Sequence, residues 1–432
     1  MKKNEEYIVK CTDMTDMAAG VCRIEDQVVF VYDLLPDEVA KIKIIKVNKK
    51  FAIGKVLERL ETSPARQTPE CEYARLCGGC QLEHVQYKEQ LALKTKWMQE
   101  LFAPIPVLDT LGNENPLYYR NKAQFPVQIQ NGKVLTGFYR KHSNDVVDST
   151  HCKIQSQAIN EIYAWIRSKL TIENAQGLRH IFIRSSYKSQ QSQVVFIGAS
   201  EKAIQSIVSE LVQTFPNIVS VVFNYNTRND NVILGNEYKV LYGSDSIIEI
   251  CMGNEVQLHF KSFFQVNPIM METLYQCAID GAELTGNETC IDMYAGAGTI
   301  GMAVSKMAAK VVGVEIVEEA VINAKENVKR NGITNCEYIC QDATIFANEY
   351  KEHVDVVFVD PPRKGMSEQG IQDIVRLQPE KIMYISCNPK TLKRDLDIFK
   401  QLDYTCKQVQ PVDMFAYTTG VECVATIERT TK

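Results

Sequence analysis

The sequence lacks the long apolar segments that membrane-spanning and exported proteins carry. No stretch of its 432 residues approaches about 18 consecutive apolar positions, so no transmembrane helix is predicted. Met1 and two lysines are followed by Asn4, Glu5 and Glu6 rather than by the apolar core of an export signal. Internal repeats and low-complexity segments are also missing. We therefore expect a cytoplasmic protein that has no membrane partner.

Net charge is small as well, since 48 Lys and Arg face 53 Asp and Glu, which gives −5. This excludes a gross polycation but leaves room for local basic surfaces. The hydrophobic share of 45% is that of an ordinary globular protein, and the length suits two or three domains.

Cysteine, by contrast, is abundant, with 14 residues. In a reducing compartment most thiols are buried, and only clustered ones bind metal or react. Cys71, Cys77 and Cys80 lie within ten residues, and Cys152, in a polar stretch, is the best candidate for a fourth ligand. Four thiolates suit a structural Zn²⁺ or a [4Fe–4S] cluster, and the three-plus-one spacing favours iron–sulfur.

The N-terminal region, residues 1–65, contains short β-branched runs separated by turn residues, which predicts a small β-barrel. Seven Lys or Arg lie between Lys41 and Arg59, against Glu58 alone. Such a basic stretch is typical either of a solvated edge strand or of a nucleic-acid-binding barrel.

The rest of the chain divides into three predicted parts. The cysteine cluster occupies residues 66–92, a mixed α+β domain 93–255, and regularly alternating strands and helices 256–432. That regular alternation predicts an α/β fold with a doubly wound parallel sheet. Within the middle part, residues 118–142 interleave basic and aromatic side chains, which either bind RNA or place the aromatics in the core.

A glycine-rich turn begins the predicted α/β region. A strand at 289–292 leads through Gly296, Gly298 and Gly301 into a helix, and Glu315 ends the next strand. This arrangement favours a ligand that carries a nucleoside, because an acid there accepts hydrogen bonds from ribose hydroxyls. Taken alone, the turn fits NAD as well as S-adenosylmethionine.

Two acids shift the balance towards S-adenosylmethionine. Asp292 ends the first strand, where a carboxylate would receive an ammonium group but would face a pyrophosphate poorly. Asp342 follows the third strand and is placed to meet an adenine edge. Either acid could instead cap a helix.

Two further strands of this region end in reactive groups. Asp360 and two prolines follow the fourth strand, and Cys387 follows the fifth. A thiolate that adds to C6 of a uracil makes C5 nucleophilic towards a methyl sulfonium, and a base must then remove the C5 proton. Glu422, at the start of a terminal strand, is the candidate base, although a strand-end acid is more often simply solvated.

Together these motifs resemble the RNA uracil-C5 methyltransferases, which form 5-methyluridine in ribosomal and transfer RNA. The Ser-Phe-Phe-Gln-Val-Asn-Pro stretch at 262–268, the glycine-rich turn, the Asp-Pro-Pro-Arg and Ser-Cys-Asn-Pro motifs and the Glu422 region occur in the family's order. The resemblance implies a Rossmann-like S-adenosylmethionine-dependent methyltransferase domain, preceded by a TRAM-like RNA-binding β-barrel and a mixed α+β RNA-binding domain.

The resemblance also implies roles for individual residues. Cys387 would be the nucleophile and Glu422 the base. Together with the strand-end acids and the glycines, the predicted S-adenosyl-L-methionine site comprises Gln265, Asp292, Tyr294, Gly296, Gly298, Glu315, Asp342 and Asp360. As in some family members, a [4Fe–4S] cluster would be held by Cys71, Cys77, Cys80 and Cys152.

The barrel and the cysteines resemble the family members that act on the large ribosomal subunit, so the expected partner is 23S rRNA and the expected role rRNA processing. A tRNA uridine is the alternative. Ala416 and Gly420 depart from the family's Pro and His. An iron–sulfur nicotinamide oxidoreductase would leave Cys387 without a role, and a non-catalytic RNA-binding protein would not need it. A monomer without an obligate protein partner is expected.

Overall fold

The computed structural model describes residues 1–430, and residue 203 by its backbone alone. Its N-terminal part is a closed five-stranded barrel with strand order β1-β2-β3-β5-β4. The strands are β1 (Glu6–Met14), β2 (Ala19–Ile24), β3 (Gln27–Tyr32), β4 (Val39–Val47) and β5 (Phe51–Glu61). Alternate residues such as Val29 and Ile42 are fully buried and fill its interior. The sequence patterns found β3, β4 and β5 but missed β1 and β2.

A segment with little regular structure, residues 62–86, carries three of the clustered cysteines and leads into α1 (Tyr87–Phe102). This helix packs against two parts of the molecule. The Trp97 indole donates a hydrogen bond of 2.8 Å to the Met14 carbonyl of the barrel. Phe102, the last residue of the helix, lies in the core of the C-terminal sheet.

The central part is a seven-stranded sheet of order β12-β11-β10-β9-β6-β7-β8. Its elements are β6 (Lys122–Gln130), β7 (Lys133–Tyr139), β8 (Val146–Asp148), α2 (Gln157–Lys169), α3 (Ile172–Ala175), β9 (Leu178–Ser185), β10 (Ser192–Gly198), α4 (Gln205–Thr214), β11 (Ile218–Tyr225) and β12 (Tyr238–Gly243). The Phe125 ring stacks on Tyr163 in the core, at a centroid separation of 3.7 Å. Among the aromatics of residues 118–142, Tyr119 is also buried and only Tyr139 is well exposed.

A two-stranded hairpin, β13 (Ser246–Cys251) and β14 (Asn254–His259), precedes the C-terminal part. That part contains α5 (Pro268–Ala282), β15 (Thr289–Met293), α6 (Thr299–Val304), β16 (Lys310–Glu315), α7 (Glu318–Arg330), β17 (Cys336–Cys340), α8 (Ala343–Glu349), β18 (Val356–Val359), α9 (Glu368–Arg376), β19 (Lys381–Ser386), α10 (Pro389–Gln401), β20 (Tyr404–Val412) and β21 (Glu422–Arg429).

The C-terminal sheet has the order β17-β16-β15-β18-β19-β21-β20. Its first five strands are parallel, and β21 and β20 are antiparallel to their neighbours. The strand order reverses beside β15, where open α/β sheets form a ligand crevice at the carboxyl ends of their strands. The predicted fold class is confirmed: a Rossmann-like α/β domain follows a small β-barrel and a mixed α+β region. Within residues 1–430 no helix combines the length and the apolarity needed to cross a membrane.

Candidate active site

Cys387 and Glu422 are cross-strand neighbours at the carboxyl end of β19 in the C-terminal sheet. The antiparallel ladder between β19 and β21 pairs Ser386 with Cys423. Cys387 directly follows Ser386 on β19, and Glu422 directly precedes Cys423 on β21. The register of the ladder therefore brings the thiol and the carboxyl group together. Asp360 follows β18, the neighbouring parallel strand, and completes a row of three reactive side chains.

The Glu422 side chain is enclosed by protein. It is only 2% exposed, and its Oε2 has no hydrogen-bond partner in the described part of the chain. Burial, with a smaller contribution from the Asp360 carboxylate, raises the pKa of Glu422 to about 8, although Arg363 opposes the shift. Burial alone raises the pKa of Asp360 to about 7. Both groups therefore exchange protons near neutral pH, as general acid–base catalysis requires.

The Cys387 thiol is partly accessible and has carboxyl groups nearby. Burial, followed by the negative charges of Glu422 and Asp360, raises the pKa of Cys387, whereas the Arg363 guanidinium lowers it. Arg363 is thus the cation that favours a thiolate here. The sequence placed Arg363 in the Asp-Pro-Pro-Arg motif but gave no reason to assign it this part.

Asp292 lies buried beneath the glycine-rich turn. Its Oδ2 accepts a 2.8 Å hydrogen bond from the Gly301 amide, and its Oδ1 has no partner among the described residues. Burial raises the pKa of Asp292 to about 7. A buried carboxyl oxygen without a donor is suited to receiving the ammonium group of a ligand.

The side chains of Glu315 and Asp342 accept hydrogen bonds from backbone amides of nearby loops. The Glu315 carboxylate accepts hydrogen bonds from the Gly296 amide at 3.0 Å and from the amides of the two residues that follow it, both at 2.9 Å. Asp342 caps α8, accepting from the Thr344 amide at 2.9 Å. The helix-cap interpretation thus describes Asp342 as it stands, and a contact with adenine stays a prediction.

The three glycines of the turn have different surroundings. A side chain at Gly296 would meet nothing within 4 Å, so the backbone there is open to a ligand. At Gly298 a Cβ atom would come within 2.5 Å of the Tyr338 hydroxyl, and at Gly301 within 2.6 Å. Tyr338 also donates a 2.7 Å hydrogen bond to the Gly298 carbonyl. The sequence did not single out Tyr338, whose ring explains two of these glycines.

Tyr294 and Gln265 complete the predicted ligand site. Tyr294 has a left-handed backbone, with φ of 67°, and is half-buried at the start of the turn. Gln265 is buried, and its backbone carbonyl accepts a 3.2 Å hydrogen bond from Asn121 Nδ2 of the central part. Both residues therefore have a fixed backbone.

The four predicted cluster cysteines line one cavity of about 290 Å³, together with Arg120 and Lys122. Burial is the main cause that raises the pKa of all four thiols, to about 12 at Cys71 and about 11 at Cys152. No group of three or more His, Cys, Asp or Glu side chains in residues 1–430 is arranged to hold a metal ion. Single-ion coordination by these cysteines is therefore not seen.

The basic stretch of the barrel is less uniform than its composition indicates. Lys41 forms an ion pair with Glu6 at 2.8 Å, and Arg59 pairs with Glu38 at 3.2 Å. Five lysines form no ion pair in the described part of the chain, although Lys43 lies opposite Glu6 of β1: Lys43, Lys46, Lys49, Lys50 and Lys55. Lys43 and Lys55 lie directly opposite each other across β4 and β5. Like charges in that position are unfavourable unless an anion lies between them.

Two family models match the chain. One, described as tRNA (uracil-5-)-methyltransferase, covers residues 86–430, and the other, the TRAM domain, covers residues 2–57. An RNA methyltransferase of Oceanobacillus iheyensis is 39% identical over 98% of this chain and 97% of its own length. One of Clostridium acetobutylicum is also 39% identical, over 100% of this chain and 99% of its own length.

Among solved structures, the Pyrococcus abyssi tRNA (uracil-54, C5)-methyltransferase in complex with S-adenosyl-L-homocysteine has the same fold. Its TM-score is 0.75 at 22% identity, with 98% of this chain and 100% of that chain covered. The similarity extends through the barrel, the central part and the C-terminal sheet.

Proposed function

Since the chain belongs to the tRNA (uracil-5-)-methyltransferase family and carries a TRAM domain, we propose that it methylates C5 of a uridine in 23S rRNA, through a covalent bond between Cys387 and C6. It is an S-adenosylmethionine-dependent RNA methyltransferase. The observation that carries the proposed mechanism is the cross-strand neighbourhood of Cys387 and Glu422 at the carboxyl end of β19.

The residues of this row would act in sequence. Cys387, as the thiolate favoured by Arg363, adds to C6 and places the electron pair of the C5–C6 double bond on C5 and the adjoining carbonyl. S-adenosylmethionine supplies the methyl group to C5. Glu422 then takes the C5 proton, the electrons of that C–H bond restore the double bond, and the C6–S bond breaks to release the Cys387 thiolate. Asp360 would contact the uracil.

The S-adenosylmethionine site is proposed at the glycine-rich turn. The free Oδ1 of Asp292 would receive the amino-acid ammonium, and Gly296 would lie against the ligand because its backbone faces open space. Glu315 would bind the ribose hydroxyls with lone pairs not used by the loop. Gln265, Tyr294, Gly298, Asp342 and Asp360 are the other proposed members.

A trapping experiment tests the two catalytic residues. RNA containing 5-fluorouridine should form a covalent adduct with the wild-type protein, because fluorine at C5 cannot leave as a proton does. Cys387→Ala should form none, and an adduct with this variant would contradict the nucleophile. With ordinary RNA, Glu422→Gln should accumulate the methylated adduct, with product release slower by about 100-fold or more. Normal turnover by Glu422→Gln would remove Glu422 as the base.

The RNA target needs a separate experiment. The resemblance in sequence favours 23S rRNA, whereas the solved structure of the same fold, which covers 98% of this chain and therefore the barrel, is named a tRNA enzyme. Mass spectrometric mapping of 5-methyluridine in ribosomal and transfer RNA, with and without the gene, should show a missing modification in 23S rRNA. Loss from tRNA alone would favour the alternative, and no loss in either would contradict the proposal.

We also propose that the cysteine cavity holds a [4Fe–4S] cluster. Each thiolate of such a cluster binds a different iron, so its four ligands need not converge on one point as the ligands of a single ion do. Arg120 favours an anionic occupant, since its buried Nε has no hydrogen-bond partner among the described residues. Glu83, in the same cavity, does not oppose this, because burial raises its pKa.

Protein purified without oxygen should contain about four iron atoms and four sulfides per chain. Cys152→Ser should lose most of both, whereas Cys340→Ser, which changes an exposed cysteine far from the cavity, should not. Zinc in place of iron in the wild type would favour the structural-metal alternative, and neither metal would contradict both.

The domain division remains a proposal with the boundaries 1–65, 66–92, 93–255 and 256–432. The last boundary falls within β14, which pairs with β13. Limited proteolysis with identification of the cut sites would test it.

A further inference from the structure

The connection between β20 and β21 ends directly at the proposed base. This connection, residues 413–421, is called the hairpin loop below. The ladder pairs Val412 with Glu422, so the sheet fixes Glu422 on its carboxyl side, while its amino side depends on the hairpin loop. The position of the Glu422 backbone therefore depends on where this loop lies.

The hairpin loop is held mainly by parts of the chain far away in sequence. The Tyr417 carbonyl accepts hydrogen bonds from the Gln81 and Leu82 amides, both at 2.9 Å. These two residues directly follow Cys80. The Ala416 carbonyl accepts from the Tyr119 hydroxyl at 3.1 Å, and the Met414 carbonyl from Asn267 Nδ2 at 3.3 Å.

Helix α1 presents one face to the hairpin loop. Tyr87, Gln90 and Lys94 are three and four residues apart and therefore share that face. Gln90 Oε1 accepts a 2.9 Å hydrogen bond from the Tyr417 amide, while Gln90 Nε2 donates to the Leu82 and Val85 carbonyls at 3.2 and 2.8 Å. All the polar groups of this fully buried side chain are used.

Lys94 and Asp413 form a fully buried ion pair. Lys94 Nζ donates to Asp413 Oδ1 at 2.6 Å, and both side chains have no exposed surface. Lys94 Nζ also donates to the Phe415 carbonyl at 3.3 Å, and the Tyr87 hydroxyl donates to Asp413 Oδ2 at 2.8 Å. Because desolvation offsets most of the attraction in such a pair, its main effect is to specify one position rather than to add stability.

We propose that Gln90 and Lys94 are positioning residues that hold the hairpin loop leading into Glu422, so that proton removal by Glu422 depends on them and bond formation by Cys387 does not. This inference rests on the proposed role of Glu422. The difference between the two steps follows from the contacts. Cys387 is held by the loop after β19, where Asn388 Nδ2 donates to the Arg363 carbonyl at 3.0 Å. Helix α1 packs against α10, which follows that loop, but its face that carries Gln90 and Lys94 forms its hydrogen bonds with the hairpin loop and with residues 82–85.

The test compares Lys94→Gln and Gln90→Met with Lys88→Gln, which removes the same charge from the exposed face of α1. Adduct formation with 5-fluorouridine RNA reports the step at Cys387. Release of 5-methyluridine from ordinary RNA in a single turnover reports the step at Glu422. The RNA is the one identified by the mapping experiment.

In Lys94→Gln and Gln90→Met we expect adduct formation at the wild-type rate. Release should be slower by about 100-fold, as a displacement of about 1 Å causes, and the covalent methylated adduct should accumulate on denaturing gels. Lys88→Gln should match the wild type in both steps. Release at the wild-type rate in the two variants would overturn the inference, as would an equal loss of both steps in folded protein.

If thermal unfolding shows that either variant is not folded, Tyr87→Phe decides. It removes one hydroxyl from Asp413 and leaves the ion pair, and it should slow release alone by a smaller factor. Unchanged release there would overturn the inference. Absence of an adduct in the wild type would instead contradict the proposed function.

Discussion

At the scale of single residues, the buried carboxylate form of Glu422 destabilises the folded protein, and the pH dependence of unfolding measures this effect. Its pKa of about 8 in the folded protein lies above the ordinary value of a glutamic acid, because burial disfavours the carboxylate. A group of this kind stabilises the fold fully below its ordinary pKa, and that stabilisation is lost as the pH rises to the folded value.

We therefore expect the wild-type protein without ligands to lose about 2 kcal/mol more stability between pH 6.5 and 8.5 than Glu422→Gln does. Asp292 titrates in both proteins, so its contribution cancels in the comparison, whereas the repulsion between Glu422 and Asp360 is part of the difference. Denaturant unfolding at the two pH values measures the difference. Equal losses would show that Glu422 is not enclosed as described.

Single residues also mark the limit of what the sequence could predict at the site. Strand-end positions identified Asp292, Asp360 and Cys387, because parallel strands present their carboxyl ends at one edge. The adjacency of Glu422 and Cys387 needs the register of an antiparallel strand, which sequence spacing does not contain. Tyr338, whose ring fills the space over two glycines, belongs to a strand with no unusual pattern.

At the scale of elements, the strands β4 and β5 combine packing and charge. Lys43 faces Lys55 across the ladder with β5, while on its other side it lies opposite Glu6 of β1, whose carboxylate forms an ion pair with Lys41. A pair of like charges is tolerated at such a position when its working state includes a phosphate backbone.

We expect Lys43→Gln/Lys55→Gln to weaken RNA binding. The logarithm of the RNA association constant falls with the logarithm of the salt concentration, and the steepness of this fall should decrease by about 2. Lys41→Gln, which removes a lysine already paired with Glu6, is the matched control and should change the slope little. Titrations at several salt concentrations provide the measurement. A change in slope from Lys41→Gln equal to half that of the double variant would show that the barrel lysines act only through net charge.

The elements themselves were predictable to an uneven degree. Apolar runs in the C-terminal part correspond to β15 to β19, since buried parallel strands are apolar on both faces. The strand β1 was missed because its outward residues are polar and exposed, and helix α1 because Gln90 and Lys94 occupy its buried face. Helical periodicity cannot identify a face that is buried through hydrogen bonds.

At the scale of the whole molecule, a buried carboxylate connects the barrel to the chain that follows it. Glu38 has no exposed side-chain surface and accepts hydrogen bonds from Arg66 at 2.6 and 2.9 Å. Burial would raise the pKa of Glu38, but the ion pair with Arg66 lowers it. The carboxylate is therefore charged inside the protein and depends on its partners.

Arg66→Gln should destabilise the barrel by about 3 kcal/mol, because one partner of a buried ion pair is removed. Arg23→Gln, at an exposed barrel position, should have little effect. Proteolysis within residues 62–86 at increasing denaturant would measure the change. The same susceptibility in both variants would mean that Arg59 alone satisfies Glu38.

The ion pair between Lys94 and Asp413 joins residues 319 positions apart. During synthesis, Lys94 leaves the ribosome long before Asp413 has been made. Burying a charged lysine in an apolar interior without a carboxylate partner costs free energy. The face of α1 that carries it therefore stays open to water until Asp413 and the rest of the hairpin loop have been made. A chain that stops short of residue 413 leaves Lys94 without Asp413 and Gln90 without the Tyr417 amide, so this face of α1 stays exposed.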